Sequence, residues 1–206
     1  GSTVDLKVSN ASDNITIGSS AGNGTLSGDA NVGLGNITLS ALTDGSFNTA
    51  VGQSALYANT GSDNTAVGAG SLQSNIGGNQ NVALGRYALF SNNSGIQNTA
   101  SGTSALYYTS TGSYNTASGF FALGVNSAGT LNSAFGMYAL YNTNSSYNTG
   151  IGYYALGDNT DGTYNTALGY YANISSGSLT NATALGSYAY VNASDKVRIG
   201  SSTVTT

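Results

Sequence analysis

The chain of 206 residues contains no cysteine, no histidine, no tryptophan, no proline and no glutamate. Without histidine, cysteine and glutamate, the usual general bases and the thiol nucleophile are missing. Eight aspartates are left to carry acid–base chemistry, and four of them (Asp5, Asp13, Asp29 and Asp44) precede the regular part of the chain. Only Asp158 and Asp161 lie near each other; they fall in a turn and lack the fuller series of oxygen ligands that a calcium loop needs. No Gly-Lys-Ser or Gly-Lys-Thr is present, so the glycines are not a phosphate cradle. The expectation is a protein that is not an enzyme and that uses no cofactor and no metal. Lysine and arginine occupy four positions and the net charge is -4, so nucleic-acid binding lacks its electrostatic term. No apolar run approaches the roughly 18–20 residues of a membrane span, and no signal peptide is recognisable, so this segment is not expected to insert into a membrane. Absence of cysteine fits a surface protein that does without disulfides and a cytosolic protein equally well.

Charged residues are 6% of the chain, and glycine (30) and tyrosine (15) are abundant. Such a composition resembles a disordered polar linker. A linker has no reason to keep a frame, however, and this chain keeps one. The string Asn48-Thr49-Ala50-Val51-Gly52-Gln53-Ser54-Ala55-Leu56-Tyr57 recurs from Asn64, Asn81, Asn98, Asn115, Asn132, Asn148 and Asn165. Looser copies begin at Asn14, Asn31, Ala182 and Lys196. Successive copies are 16 or 17 residues apart, apart from a last interval of 14. A period this short marks a solenoid, here an all-β parallel solenoid of about twelve coils.

Counting the first residue of each copy as offset zero, offset four is glycine in all twelve copies. We assign the coil corner to this column, which in the tight part of the frame reads Gly52, Gly68, Gly85, Gly102, Gly119, Gly136, Gly152, Gly169 and Gly186. Offset eight is leucine in eight consecutive copies, from Leu39 to Leu156. Each coil is expected to comprise a short strand, the glycine corner, a second short strand ending near Leu-Tyr, and a polar loop of turn-forming residues. Residues 1–13, with an alternating Val4-Asp5-Leu6-Lys7-Val8, read as an opening strand or cap, residues 14–200 as the repeat, and residues 201–206 as a tail leading into a further segment. The first two coils are irregular, with Gly22 at the leucine place, as terminal repeats of a solenoid tend to be.

Within the first strand, offsets one and three share a face and offset two points the other way. Offset one is mostly threonine and offset three mostly Val, Leu or Ile, so this pair is expected to line the coil interior. Offset two is then outward, yet it stays small: Ala50, Ala66, Ala83, Ala100, Ala117, Ala134, Ala167 and Ala184, with Gly33 and Gly150. A small, uniform outer column suggests a flat surface against which a second chain packs. These alanines are the expected trimer contact, three chains round one axis being the simplest cyclic closure.

The strings Asn48-Thr49-Ala50-Val51-Gly52, Asn81-Val82-Ala83-Leu84-Gly85 and Asn165-Thr166-Ala167-Leu168-Gly169 resemble the head repeats of YadA-like trimeric autotransporter adhesins. With the terminal Lys196-Val197-Arg198-Ile199-Gly200, the repeat is also similar to repeat shafts of phage and other viral tail fibres, which are often followed by a self-cleaving chaperone. The resemblance covers about residues 14–200. It implies a left-handed parallel β-roll assembled as a parallel homotrimer, in an extracellular fibre on a bacterial surface or a virion, binding a cell-surface receptor such as a glycan. The period of 17 exceeds the usual adhesin coil, so the loop after Leu-Tyr is enlarged.

Aromatic residues also run in columns. Offset six gives Tyr87, Phe121, Tyr138, Tyr154, Tyr171 and Tyr188; offset nine adds Tyr57, Phe90, Tyr107 and Tyr141; and Phe47, Tyr114, Tyr147 and Tyr164 precede their copies. One reading is packing, with the hydroxyls kept wet. The other is a ladder of sugar-stacking platforms, for which Tyr138, Tyr154, Tyr171 and Tyr188 are the candidate ligand-binding residues. A carbohydrate-processing solenoid enzyme of tailspike type is the alternative from another class, and it would need a close carboxylate pair. Ice binding is a lesser alternative: Thr49, Thr65, Thr99, Thr116, Thr149, Thr166 and Thr183 form one column, but its partner column is Val or Leu where a second threonine column is wanted.

Overall fold

The computed structural model describes residues 6–8, 12–22 and 26–201, the first of these as backbone. The expected tail therefore lies outside the described residues beyond Ser201, as do Val4 and Asp5. The chain is an all-β parallel solenoid whose main sheet has thirteen strands. The first strand, Leu6–Val8, pairs antiparallel with Ile15–Ile17. From Ile15–Ile17 to Val197–Ile199 the remaining strands are parallel and follow chain order, apart from two short strands that form a separate sheet. Register is set coil on coil, so that Thr49, Ala50 and Val51 sit over Thr65, Ala66 and Val67.

The glycine column turns each coil after its three-residue strand. Gly119 has φ +135, and the column as a whole runs from +75 to +142. A side chain there would also meet the next coil: a Cβ on Gly119 would lie 2.6 Å from the carbonyl carbon and oxygen of Gly136. Backbone conformation and close stacking therefore both require glycine.

The two faces of the strand are the reverse of the sequence expectation. Ala50, Ala66, Ala83, Ala100, Ala117, Ala134, Ala167 and Ala184 are wholly buried inside the coil of a single chain, so none of them is available as a trimer contact. Offsets one and three point outward; Leu84 is 42% exposed and Leu168 44%. The reason is space. The leucine at offset eight fills the interior opposite the strand, leaving room for little more than a methyl group. A Cβ on Gly33 would already lie 3.1 Å from Leu39 Cδ1, and one on Gly150 would lie 2.8 Å from the Ala155 carbonyl oxygen. The core is a column of Ala, Ala and Leu from offsets two, seven and eight.

The second strand of each coil is mostly absent. Among the described residues only Asn173–Ile174 and Tyr190–Val191 pair as a short parallel sheet. Elsewhere offsets six and eight take the left-handed conformation, as in Tyr138 (φ 58) and Leu140 (φ 51), which interrupts the extended backbone. Coil-to-coil hydrogen bonding continues nonetheless: Leu123 N–H donates to Ala139 O, and Tyr138 N–H to Phe120 O. These bonds offset the roughly 1–2 kcal/mol that a left-handed residue other than glycine costs.

Two buried asparagine ladders complete the interior. At offset zero, Asn98 donates its backbone N–H to Asn81 Oδ1 at 2.9 Å and its Nδ2 to the same oxygen at 3.2 Å and to Gly112 O at 2.8 Å. Asn115 repeats this pattern on Asn98. At offset eleven, Asn75 donates to Asn59 Oδ1 and Asn92 to Asn75 Oδ1. A buried amide costs stability unless its partners are supplied, and at offset zero the adjacent coils and the loop of the same coil supply them.

Candidate functional site

Three surfaces of the rod carry features beyond folding. The first is the outward face of the strands. Its offset-three column reads Leu34, Val51, Val67, Leu84, Phe135, Ile151, Leu168 and Leu185, all exposed except the half-buried Val51, with Ser101 and Ser118 as a polar interval. Beside it runs the threonine column, half-buried or exposed from Thr49 to Thr183. Exposed apolar patches this continuous generally mark interaction surfaces.

The second surface is an aromatic ridge beyond the glycine corner. The four candidate tyrosines do lie along it, and Tyr154, Tyr171 and Tyr188 are consecutive neighbours with centroid separations of 5.1 Å and 5.9 Å. The ridge also recruits a column passed over at the sequence level, offset five, with Phe120, Met137, Tyr153 and Tyr170. Its signal was present, since four consecutive copies carry a large apolar residue directly after the glycine where the other copies carry small or polar ones. Ring contacts extend from Tyr87 to Tyr188. Arg86 caps one end with its guanidinium 4.5 Å from the Tyr87 ring centre.

The orientation of the rings limits what they can bind. Phe90 and Tyr107 are 3° from parallel, Phe121 and Tyr138 17°, Tyr153 and Tyr170 19°, and Tyr171 and Tyr188 5°. These near-parallel pairs cover one another's faces, while Tyr138 meets Tyr141 and Tyr153 edge-on and Tyr154 lies 34° from Tyr171. What they offer outward is edges and hydroxyls, whereas a sugar stacks on a free face. The tyrosine ladder is thus built first as packing between coils.

Four hydroxyls of the ridge are perturbed. Burial pushes the Tyr154 phenol up to about 12, assisted by the charge of Asp158 and by the hydrogen bond that the phenol donates to it at 3.1 Å. Burial also raises Tyr107 and, with a hydrogen bond to Tyr188, Tyr170. Tyr171 is raised mainly by its hydrogen bond with Tyr153. A shallow pocket of about 110 Å³ lies where Gly70 replaces the offset-six side chain, between Gln53, Gln73 and Tyr87.

The third surface is the corner before each strand, where Phe47, Tyr114, Leu131, Tyr147 and Tyr164 are exposed. Tyr147 and Tyr164 stack at 4.8 Å and 8°.

Asp158 and Asp161 do not form a working pair. Asp158 accepts from Tyr154 and from Asn173 Nδ2, while Asp161 accepts from Thr160 Oγ1. Among the described residues no group of three or more aspartates is placed to hold a metal ion, and no helix is long and apolar enough to cross a membrane. No family model matches the chain, and no curated protein or solved structure matches it either.

Proposed function

We propose that this chain is a structural and adhesive segment of a trimeric extracellular fibre, an adhesin head or the shaft or tip of a tail fibre, that presents its surface to a cell-surface receptor. The observation that carries this reading is the exposed column from Leu34 to Leu185. A single solenoid leaves most of that column in water. Three parallel copies, each a left-handed roll, bury it by turning their strand faces to a common axis. The contact therefore moves from the alanine column to the threonine and Val/Leu columns on the opposite side of the same strands. The repeat's resemblance to adhesin heads and fibre shafts supports the same assembly.

Receptor binding falls to the surfaces that assembly leaves open. The hydroxyls of the offset-six tyrosines and the Asn, Ser and Thr of the loops recognise a neutral polar ligand such as a glycan by hydrogen bonding, with ring stacking restricted to free faces at the ends of the ladder. Light scattering tests the assembly: the expected mass is three chains, and a stable monomer near 20.5 kDa overturns it. Leu168→Lys together with Ile151→Lys is expected to give folded monomers. Binding of the intact trimer to cells or a glycan array tests the adhesive part.

One observation favours a second reading. The threonine column expected inside the coil lies outside, in register from strand to strand, as an ice-binding surface requires. Its neighbour column mixes Leu, Phe, Ile and Ser, which have unequal reach. Thermal hysteresis in dilute solution distinguishes this reading from the fibre.

A further inference from the structure

The strand face is bordered by two edge columns. One is the residue before each copy; the other is offset five, just past the glycine corner. Six residues separate them, a three-residue strand and the turn at the glycine among them, so their Cα atoms lie at most about 20 Å apart. Within one chain the ring contacts keep to either side: Tyr147 pairs with Tyr164, and Phe120, Tyr153 and Tyr170 pair within the ridge.

Yet the two edges change character together. In four consecutive coils both are large and apolar: Tyr114 goes with Phe120, and Leu131 with Met137. Tyr147 likewise goes with Tyr153, and Tyr164 with Tyr170. In the three coils before them both are polar or small, with Asp63, Gln80 and Gln97 opposite Ala69, Arg86 and Thr103. After them the pair is Asn181 and Ser187. Phe47 with Gln53 is the exception. Copying of neighbouring coils does not account for this pattern by itself, because offset three reads Ser118, Phe135, Ile151 and Leu168 across the same four coils.

We infer that the two edges meet between copies: in an in-register cyclic assembly, the residue before each strand of one chain packs against offset five of the same coil in the next chain. Two surfaces that never touch within a chain have cause to match in polarity when they touch across a heterologous interface. The matching is coil by coil, which requires parallel chains without stagger. Coils 115 to 165 then form the apolar lock of the assembly, and the coils before them form a polar, wetter seam. This inference rests on the cyclic fibre reading and specifies its partner as a second copy of this chain.

The absence of cysteine provides the test. Tyr147→Cys with Tyr153→Cys in one chain is treated with a short bis-maleimide, because facing tyrosines hold their Cα atoms beyond the reach of a disulfide. The expected product on a denaturing gel is a covalent trimer from the double variant and uncoupled chains from each single variant. Leu131→Cys with Met137→Cys provides a second pair should the first disturb folding, which a thermal melt reports. Light scattering on the same samples separates the failures. A trimer whose double variants do not couple, or whose single variants couple to dimers, overturns the edge-to-edge contact and leaves the fibre reading in place. A monomer overturns the fibre reading and the contact with it.

Discussion

Asn92 donates its side-chain amide to Asn75 Oδ1 at 2.6 Å, while its own Oδ1 is buried without a donor. The next residue of that column is Thr109, whose hydroxyl is also buried and unbonded, and Asn126 Oδ1 shares the condition. A ladder running from Asn59 through Asn75 to Asn92 is therefore broken by a side chain too short to continue it.

Thr109→Asn is expected to repair this break. The new Nδ2 reaches Asn92 Oδ1, and its Oδ1 accepts from Asn126. At about 1 kcal/mol per bond, and with a buried acceptor satisfied, the unfolding free energy should rise by roughly 1–2 kcal/mol in a denaturant titration. Thr109→Ala removes a hydroxyl that bonds nothing and should cost no more than a lost methyl contact, about 1 kcal/mol. A destabilised Asn variant would show that the column has no room for an amide there.

Gly119→Ala should be far more damaging than its single added carbon suggests. The new Cβ would sit 2.6 Å from the Gly136 carbonyl, in a backbone region that side chains rarely adopt. A loss of at least about 3 kcal/mol is expected in the same titration, against about 0.5 kcal/mol or less for Thr103→Ala on the exposed surface. Similar losses for the two would mean that the corner does not require glycine.

Ala117→Leu separates the inside of the coil from the outside. Ala117 is wholly buried in the monomer, so a larger side chain should lower the melting temperature whether or not chains associate. Leu168→Lys should leave the melt of an isolated chain nearly unchanged and act on mass. A dissociated but normally melting Ala117→Leu would return the alanine column to the outside.

The period and the corner were legible because one requirement, positive φ with a neighbouring backbone at contact, recurs in every coil and admits only Gly119 and its counterparts. The faces were not. A column such as Ala100, Ala117 and Ala134 is small both when it lines a narrow interior and when it supports a flat contact. What decides between them is the volume already taken by Leu123 across the coil. Likewise the tyrosines announce a ring in each coil, but not the left-handed backbone at Tyr171 and Tyr188 that stacks one ring on the next. Asparagine at offset zero was visible in ten of twelve copies, while its ladder depends on Asn98 lying directly over Asn81.

The phenols make stability depend on alkaline pH, and the sign is fixed by the direction of their shifts. Tyr154 is raised from 10.0 to about 12 in the folded chain, with Tyr107, Tyr170 and Tyr171 raised as well. Above pH 10 the unfolded chain gives up these protons first, so the folded state holds more protons than the unfolded state. The stabilisation is complete below pH 10 and is lost as pH climbs toward 12. Melting temperature should therefore hold up to about pH 10 and then fall steeply. Tyr154→Phe should flatten that fall while changing little at neutral pH. Asp158→Asn removes a carboxylate charge but leaves the burial that is the larger cause, so the Tyr154 phenol should titrate earlier than in the parent yet still above its ordinary value. Tyrosinate absorbance followed against pH in the three proteins reads this order directly. An unchanged titration in Asp158→Asn would mean that the carboxylate does not face the phenol in solution.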